Sequence, residues 1–210
     1  IILAVPVARA QGFRSGETAT VKSDETLDGT LWAAGNTIDV AGTVQGDVFC
    51  AGQNITVSGT VEGDVICAGQ NITISGMVAG DIRVAGQTVS ITGTVGGSVT
   101  GAGQTLTLGQ DAVVTRDFTT AGSQVTIAGI IGRDLLIGSE ASTVGGKVGR
   151  NIFAEVTSIK LESSADVGGK LQYTSRNNAL IASDAKIAGG VSHSIPTEEK
   201  RTFNVAGANA

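Results

Sequence analysis

From Gly42 to Gly76 the chain reads GTVQGDVFCAGQNITVSGTVEGDVICAGQNITISG, in which AGQNITVSG, beginning at Ala51, returns at Ala68 as AGQNITISG. The interval is 17 residues, and it extends in both directions. Gly46-Asp47, Gly63-Asp64 and Gly80-Asp81 keep it, Gly97-Ser98 follows it, and Gly35, Gly52, Gly69, Gly86 and Gly103 mark a second register with the same spacing. Later units drift. Extra residues enter near Gln110-Asp111, after which Asp117, Asp134 and Asn151 resume the spacing, and further insertions fall near Ser163-Ser164 and Asn177-Asn178. Self-similarity at so short a period is the mark of a solenoid.

Within a unit the apolar residues alternate, as in Val65-x-Cys67 and Ile72-x-Ile74, with Thr, Ser, Asn and Gln between them. That is strand periodicity, and Val, Ile and Thr favour it. Gly and Asp punctuate the units and suit tight corners. Each unit reads as three short strands, too small to bury a core alone, so the units must stack in register. The expected fold is all-β, a single three-sided parallel β-helix; the short coil favours a right-handed one.

Its inward columns can be written down. One runs from Val44 through Val61, Val78, Val95, Val114, Ile131, Val148 and Val167 to Ile187. A second runs from Val48 through Val65, Ile82, Val99, Phe118, Leu135, Ile152 and Leu171 to Val191, and a third pairs the Ile38 and Val40 columns. About nine coils at ~4.8 Å give a rod of roughly 43 Å. It spans 28–193, between an N-terminal linker over 11–27 and a flexible tail over 194–210.

Composition narrows the function. One His and two Cys in 210 residues leave little for a four-ligand Zn site or a haem. Five Phe, one Trp and one Tyr, with a net charge of -5, argue against nucleic acid. The column Asp47, Asp64, Asp81, Asp117 and Asp134 is read as corner residues satisfying their own backbone rather than a Ca²⁺ ladder, because it continues into Ser98, Asn151 and Lys170. No metal, cofactor or catalytic residue is assigned.

Cys50 and Cys67 fall in one inward column on adjacent coils. The ~4.8 Å spacing of strands lies within disulfide range, but parallel in-register side chains point the same way. Two buried thiols are preferred over a bridge. His193, the one imidazole, would be needed by an acyltransferase, yet no nucleophile elbow accompanies it. Outward Asp39, Thr56, Thr73, Ser90, Thr107 and Thr126 form a hydroxyl-rich ladder that leaves an ice-binding or glycan-facing solenoid as an alternative.

The repeated text from Gly42 to about Thr92, continued more loosely to Val191, resembles the bactofilins, polymer-forming proteins of the bacterial cytoskeleton. The segment LQYTSRNNALIASDAKIAGGV, Leu171 to Val191, is closest to the family's exported or membrane-attached relatives. The resemblance implies a right-handed β-helix that polymerises end to end without nucleotide at a membrane, with no catalytic residue. Its partners would be further copies of itself and membrane or envelope proteins.

Two further features bear on that expectation. Ile1 to Ala10, IILAVPVARA, ends an apolar run with Pro6 and the small-x-small pattern Ala8-Arg9-Ala10 of a signal-peptidase site, so 1–10 reads as a signal-peptide remnant cleaved after Ala10. Export, or membrane association, is expected; the alternative is a cytoplasmic protein peripheral at the inner membrane. Only Asp47, Glu62, Asp64, Asp81 and Arg83 are charged between Gly42 and Gln110, against sixteen charged residues from Asp111 to Ser192. The weakly charged half lacks the repulsion that keeps β-rich surfaces apart. Because a β-helix ends in unpaired backbone and an open apolar layer, end-on assembly is expected through Ile38 and Val40 at one end and Ile181, Ile187 and Val191 at the other.

Overall fold

A computed structural model describes residues 12–196. All regular structure among them is β. Parallel strands stack into a solenoid of about 11 turns with about 17 residues per turn. Long strands such as Val48–Val57 and Val65–Ile74 alternate with two-residue strands such as Thr60–Val61 and Met77–Val78, and each class forms its own continuous sheet.

The long strand replaces two of the three expected short ones. In Val48–Val57, Val48 and Cys50 face inward, then Gln53 and Asn54 are both exposed, and Ile55 and Val57 face inward again. The pairing ladder skips Gln53. Alternation therefore slips by one residue at a corner, and one strand covers two sides while Thr60–Val61 supplies the third. Gly52 makes the corner possible: a Cβ there would sit 2.5 Å from the Gly35 carbonyl oxygen of the preceding coil. Insertions near 110–111, 163–164 and 177–178 fall at turns or bends outside the strands, where extra length leaves the ladders intact.

The predicted columns form the core. Val44, Val61, Val78 and Val95 are fully buried, as are Val48, Val65 and Ile82, and Ile38, Ile55, Ile72 and Val89 close the third side. Stacking identical residues in register gives each side chain a partner of its own shape above and below, which is how a 17-residue coil obtains a close-packed interior.

Two boundaries differ from the sequence reading. The stretch expected as a linker over 11–27 is the first coil: Phe13–Val21 pairs with Leu31–Val40, and Thr26–Leu27 pairs with Thr43–Val44. A turn at Ser23-Asp24 lengthens the interval to 19 residues, so that Val21 lies against Val40. At the other end Ser194 belongs to the strand Val191–Ser194 rather than to the tail. The signal-peptide reading of 1–10 and the tail beyond Pro196 lie outside the described residues.

Candidate functional site

Self-association requires surfaces that stay sticky after the coils have stacked, so the ends and the outward columns are the places to look. At the N-terminal end the expected pair is displaced. Ile38 and Val40 are buried in the second layer, covered by Ala19 and Val21 of the added coil. The outermost layer holds Ala19, Val21 and Leu27, all buried, and the outer strand carries Arg14, Ser15, Glu17 and Thr18. Arg14 pairs with Glu25 at 2.6 Å beside it. The inward residues of this end are buried, and its outer strand is polar apart from the exposed Phe13.

The C-terminal end is the opposite. Ile181 and Val191 are 39% and 48% exposed although each continues an inward column, stacking on Leu161 and Leu171. Ile187 stacks on Val167 and is half-buried. Leu180 and Ile195 beside them are exposed as well. Of the five residues expected at the ends, the structure gathers Ile181, Ile187 and Val191 into one apolar layer and removes Ile38 and Val40 from the other.

Cys50 and Cys67 are bridged, which reverses the preference for two thiols; their Cα atoms are 4.5 Å apart. The ladder pairs the two residues directly, and the side chains turn towards each other along the stacking direction.

The corner carboxylates are not self-satisfied, as the sequence reading had them. Each reaches forward one coil: Asp47 Oδ1 accepts the Asp64 N–H at 2.8 Å, Asp64 Oδ1 accepts the Asp81 N–H at 2.8 Å and Asp81 Oδ1 accepts the Ser98 N–H at 2.9 Å. Asp134 and Asn151 do the same for Asn151 and Lys170. The side chain supplies the acceptor for a corner N–H that no ladder carbonyl serves. The Asp81 N–H holds the Asp64 carboxyl below its ordinary value, helped by Arg83, against a smaller opposing effect of burial. For Asp134 burial is the largest single effect and acts upward, but the Asn151 donors and Arg150 together outweigh it, and the carboxyl is again lowered. These oxygens are committed to N–H donors and to Arg83, Arg133 and Arg150. Among the described residues no cluster of three or more acidic, His or Cys side chains is arranged to hold a metal ion.

His193 stacks on Tyr173 with ring centroids 4.3 Å apart, and its Nε2 lies 2.8 Å from the Ser175 carbonyl, which can only accept. Nε2 is therefore the protonated nitrogen, and it is spent on backbone. On the hydroxyl-rich side, Thr56, Thr73 and Thr126 are exposed and Asp39, Ser90 and Thr107 half-buried. Beside them the amides bond to each other, Asn71 to Asn54 at 2.8 Å and Gln53 to Gln70 at 2.9 Å.

One surface escaped the sequence reading. The outward column between the Val48 and Cys50 columns holds Phe13, Trp32, Phe49 and Ile66, and Trp32 and Phe49 stack face to face at 4.2 Å with 9° between their planes. Two residues further along each strand stands Ala34, Ala51 or Ala68, continued by Ala85. Together they line a groove of about 810 Å³ that is open to solvent and almost wholly apolar. The signal was present as a large-x-small pattern in Trp32-x-Ala34, Phe49-x-Ala51 and Ile66-x-Ala68, hidden because attention to the inward residues treats everything between them as solvent-facing.

No protein family, no curated protein and no solved structure matches the chain.

Proposed function

We propose that the protein is a non-enzymatic structural rod that assembles end to end in the bacterial cell envelope, as its resemblance to bactofilins implies. The observation that carries this reading is the open apolar layer of Ile181, Ile187 and Val191 at the C-terminal end. An exposed strand edge with one layer of core beside it is a surface on which another copy can stack. Export or membrane association belongs to the same proposal and rests on the Ala8-Arg9-Ala10 pattern.

The test is sedimentation and negative-stain microscopy of the wild type beside Ile187→Lys/Val191→Lys, with circular dichroism as the folding control. A buried ammonium without a partner costs several kcal/mol, so the variant should lose long polymers while the coils further in remain folded. A wild type that stays as single rods at high concentration overturns the proposal, as does a folded variant that still polymerises. Single rods showing thermal hysteresis would move the function to the Thr, Asn and Gln side and an ice surface.

A further inference from the structure

We propose that the outward face bearing Trp32, Phe49 and Ile66 pairs two copies of this rod side by side, parallel and in register. The argument begins with shape. Trp32-x-Ala34, Phe49-x-Ala51 and Ile66-x-Ala68 place a large residue and a small one on the same outer surface in successive coils. Arg83, Thr100 and Thr119 each precede an Ala by two in the same way, and Leu136 precedes Gly138. The surface is thus a rib of larger side chains running along the rod beside a trough of methyl groups.

A rib beside a trough is complementary to itself under one two-fold operation. With the axis parallel to the rod and midway between the two columns, the rib of each copy enters the trough of the other, so Phe49 meets the partner's Ala51 while Ala51 meets the partner's Phe49. The antiparallel arrangement sets rib against rib and leaves both troughs empty, which forfeits the dispersion contacts of a filled groove. Dry interdigitation of side chains between facing sheets, at about 10 Å separation, is the contact such surfaces make.

Area and charge bear on its strength. The rib spans eight coils, from Trp32 to Phe153, and the trough seven, from Ala34 to Gly138, because Glu155 stands two residues beyond Phe153. At ~4.8 Å per coil and about four residues of width, seven coils give roughly 450 Å² on each copy and about 900 Å² in the pair, the size of a weak, reversible contact. Arg83 is the one charged residue in the rib column from Trp32 to Phe153. Its guanidinium is bonded to Asp64 at 3.0 Å and Asp81 at 2.8 Å, on the corner side away from the trough. A sugar platform is the poorer fit, because Trp32 and Phe49 spend their facing ring surfaces on each other.

This pairing does not rest on end-to-end assembly, and the experiment separates the two. Trp32 is the only tryptophan and is 52% exposed, so its emission reports the face directly. In the end-blocked Ile187→Lys/Val191→Lys protein, sedimentation should show twice the mass of one rod. Trp32 emission should move to the blue as concentration rises, with loss of quenching by acrylamide. Adding Ala51→Arg and Ala68→Arg fills the trough from exposed positions and should weaken pairing roughly tenfold or more, leaving a folded single rod with solvent-like Trp32 emission. The proposal is overturned if the end-blocked rod is single at high concentration, if it pairs with Trp32 still fully quenchable, or if the folded trough variant pairs as before. A blue shift that appears only on adding phosphatidylcholine vesicles also overturns it and gives the face to lipid.

Discussion

The backbone N–H of Asp81 donates a 2.8 Å hydrogen bond to Oδ1 of Asp64, the residue 17 positions earlier in the same corner column. It links two coils where the strand ladders do not reach, and it is made to the ionised carboxylate. The Asp64 carboxyl therefore titrates below its unfolded value of 3.8. A group lowered on folding contributes stability that is fully present above the unfolded pKa and is lost as pH falls through the folded one. Below about pH 4 the rod should become progressively easier to unfold. Asp64→Asn keeps an oxygen acceptor but removes the charge, and denaturant midpoints measured from pH 7 to pH 2 should fall less steeply in this variant. Identical slopes would show that the carboxylate bond is not coupled to folding.

Cys50 and Cys67 close a short covalent loop across two coils. In the chain-entropy account a loop of this length contributes about 3 kcal/mol. Reduction, or Cys50→Ala/Cys67→Ala, should lower unfolding free energy by about 2–4 kcal/mol while leaving the β circular-dichroism signal in place. Free-thiol titration of the unfolded, unreduced protein should detect no thiol.

Val65 is fully buried between Val48 and Ile82 in its column. Val65→Asp would place a carboxylate there without a partner, at a cost of several kcal/mol. Its melting temperature should drop well below that of the wild type, whereas Thr73→Asp, outward on the neighbouring side, should change it little. Equal melting temperatures for Val65→Asp and wild type would show that this column does not face inward.

Thr120 sits 3% exposed in the Cys50 column between Gly101 and Ile137, and its hydroxyl has no hydrogen-bond partner. Leaving a buried hydroxyl unsatisfied costs about 1–3 kcal/mol, and Val has the same shape without it. Thr120→Val should raise stability by about 1 kcal/mol or more in a denaturant titration. A loss would mean that the hydroxyl is satisfied in solution.

Much of this was legible from residue order, because in a solenoid every coil packs on a near copy of itself. Repetition at 17 residues gives the fold class, and alternation inside the unit names the inward columns. The drift points at Gln110, Ser163 and Asn177 mark turns or bends. The rest depends on contacts that no period expresses. The first coil was missed because its turn at Ser23-Asp24 breaks the interval and its inward column carries Arg14 where the next two coils place Ala33 and Cys50. That single coil moves Ile38 and Val40 from the terminal layer into the core, and leaves the exposed apolar layer at one end, with Ile181 and Val191. Likewise, spacing places Cys50 above Cys67, but only the direction of their side chains decides between two thiols and a bridge. The rib of Trp32 and Phe49 beside the trough of Ala34 and Ala51 is written in successive units, yet its meaning comes from the stacking of those units, which joins the residues into one continuous outer side. Sequence determined what repeats along the rod; tertiary structure decided where the repetition stops and which outward faces it leaves uncovered, since ends and outer surfaces are defined by neighbours that are missing.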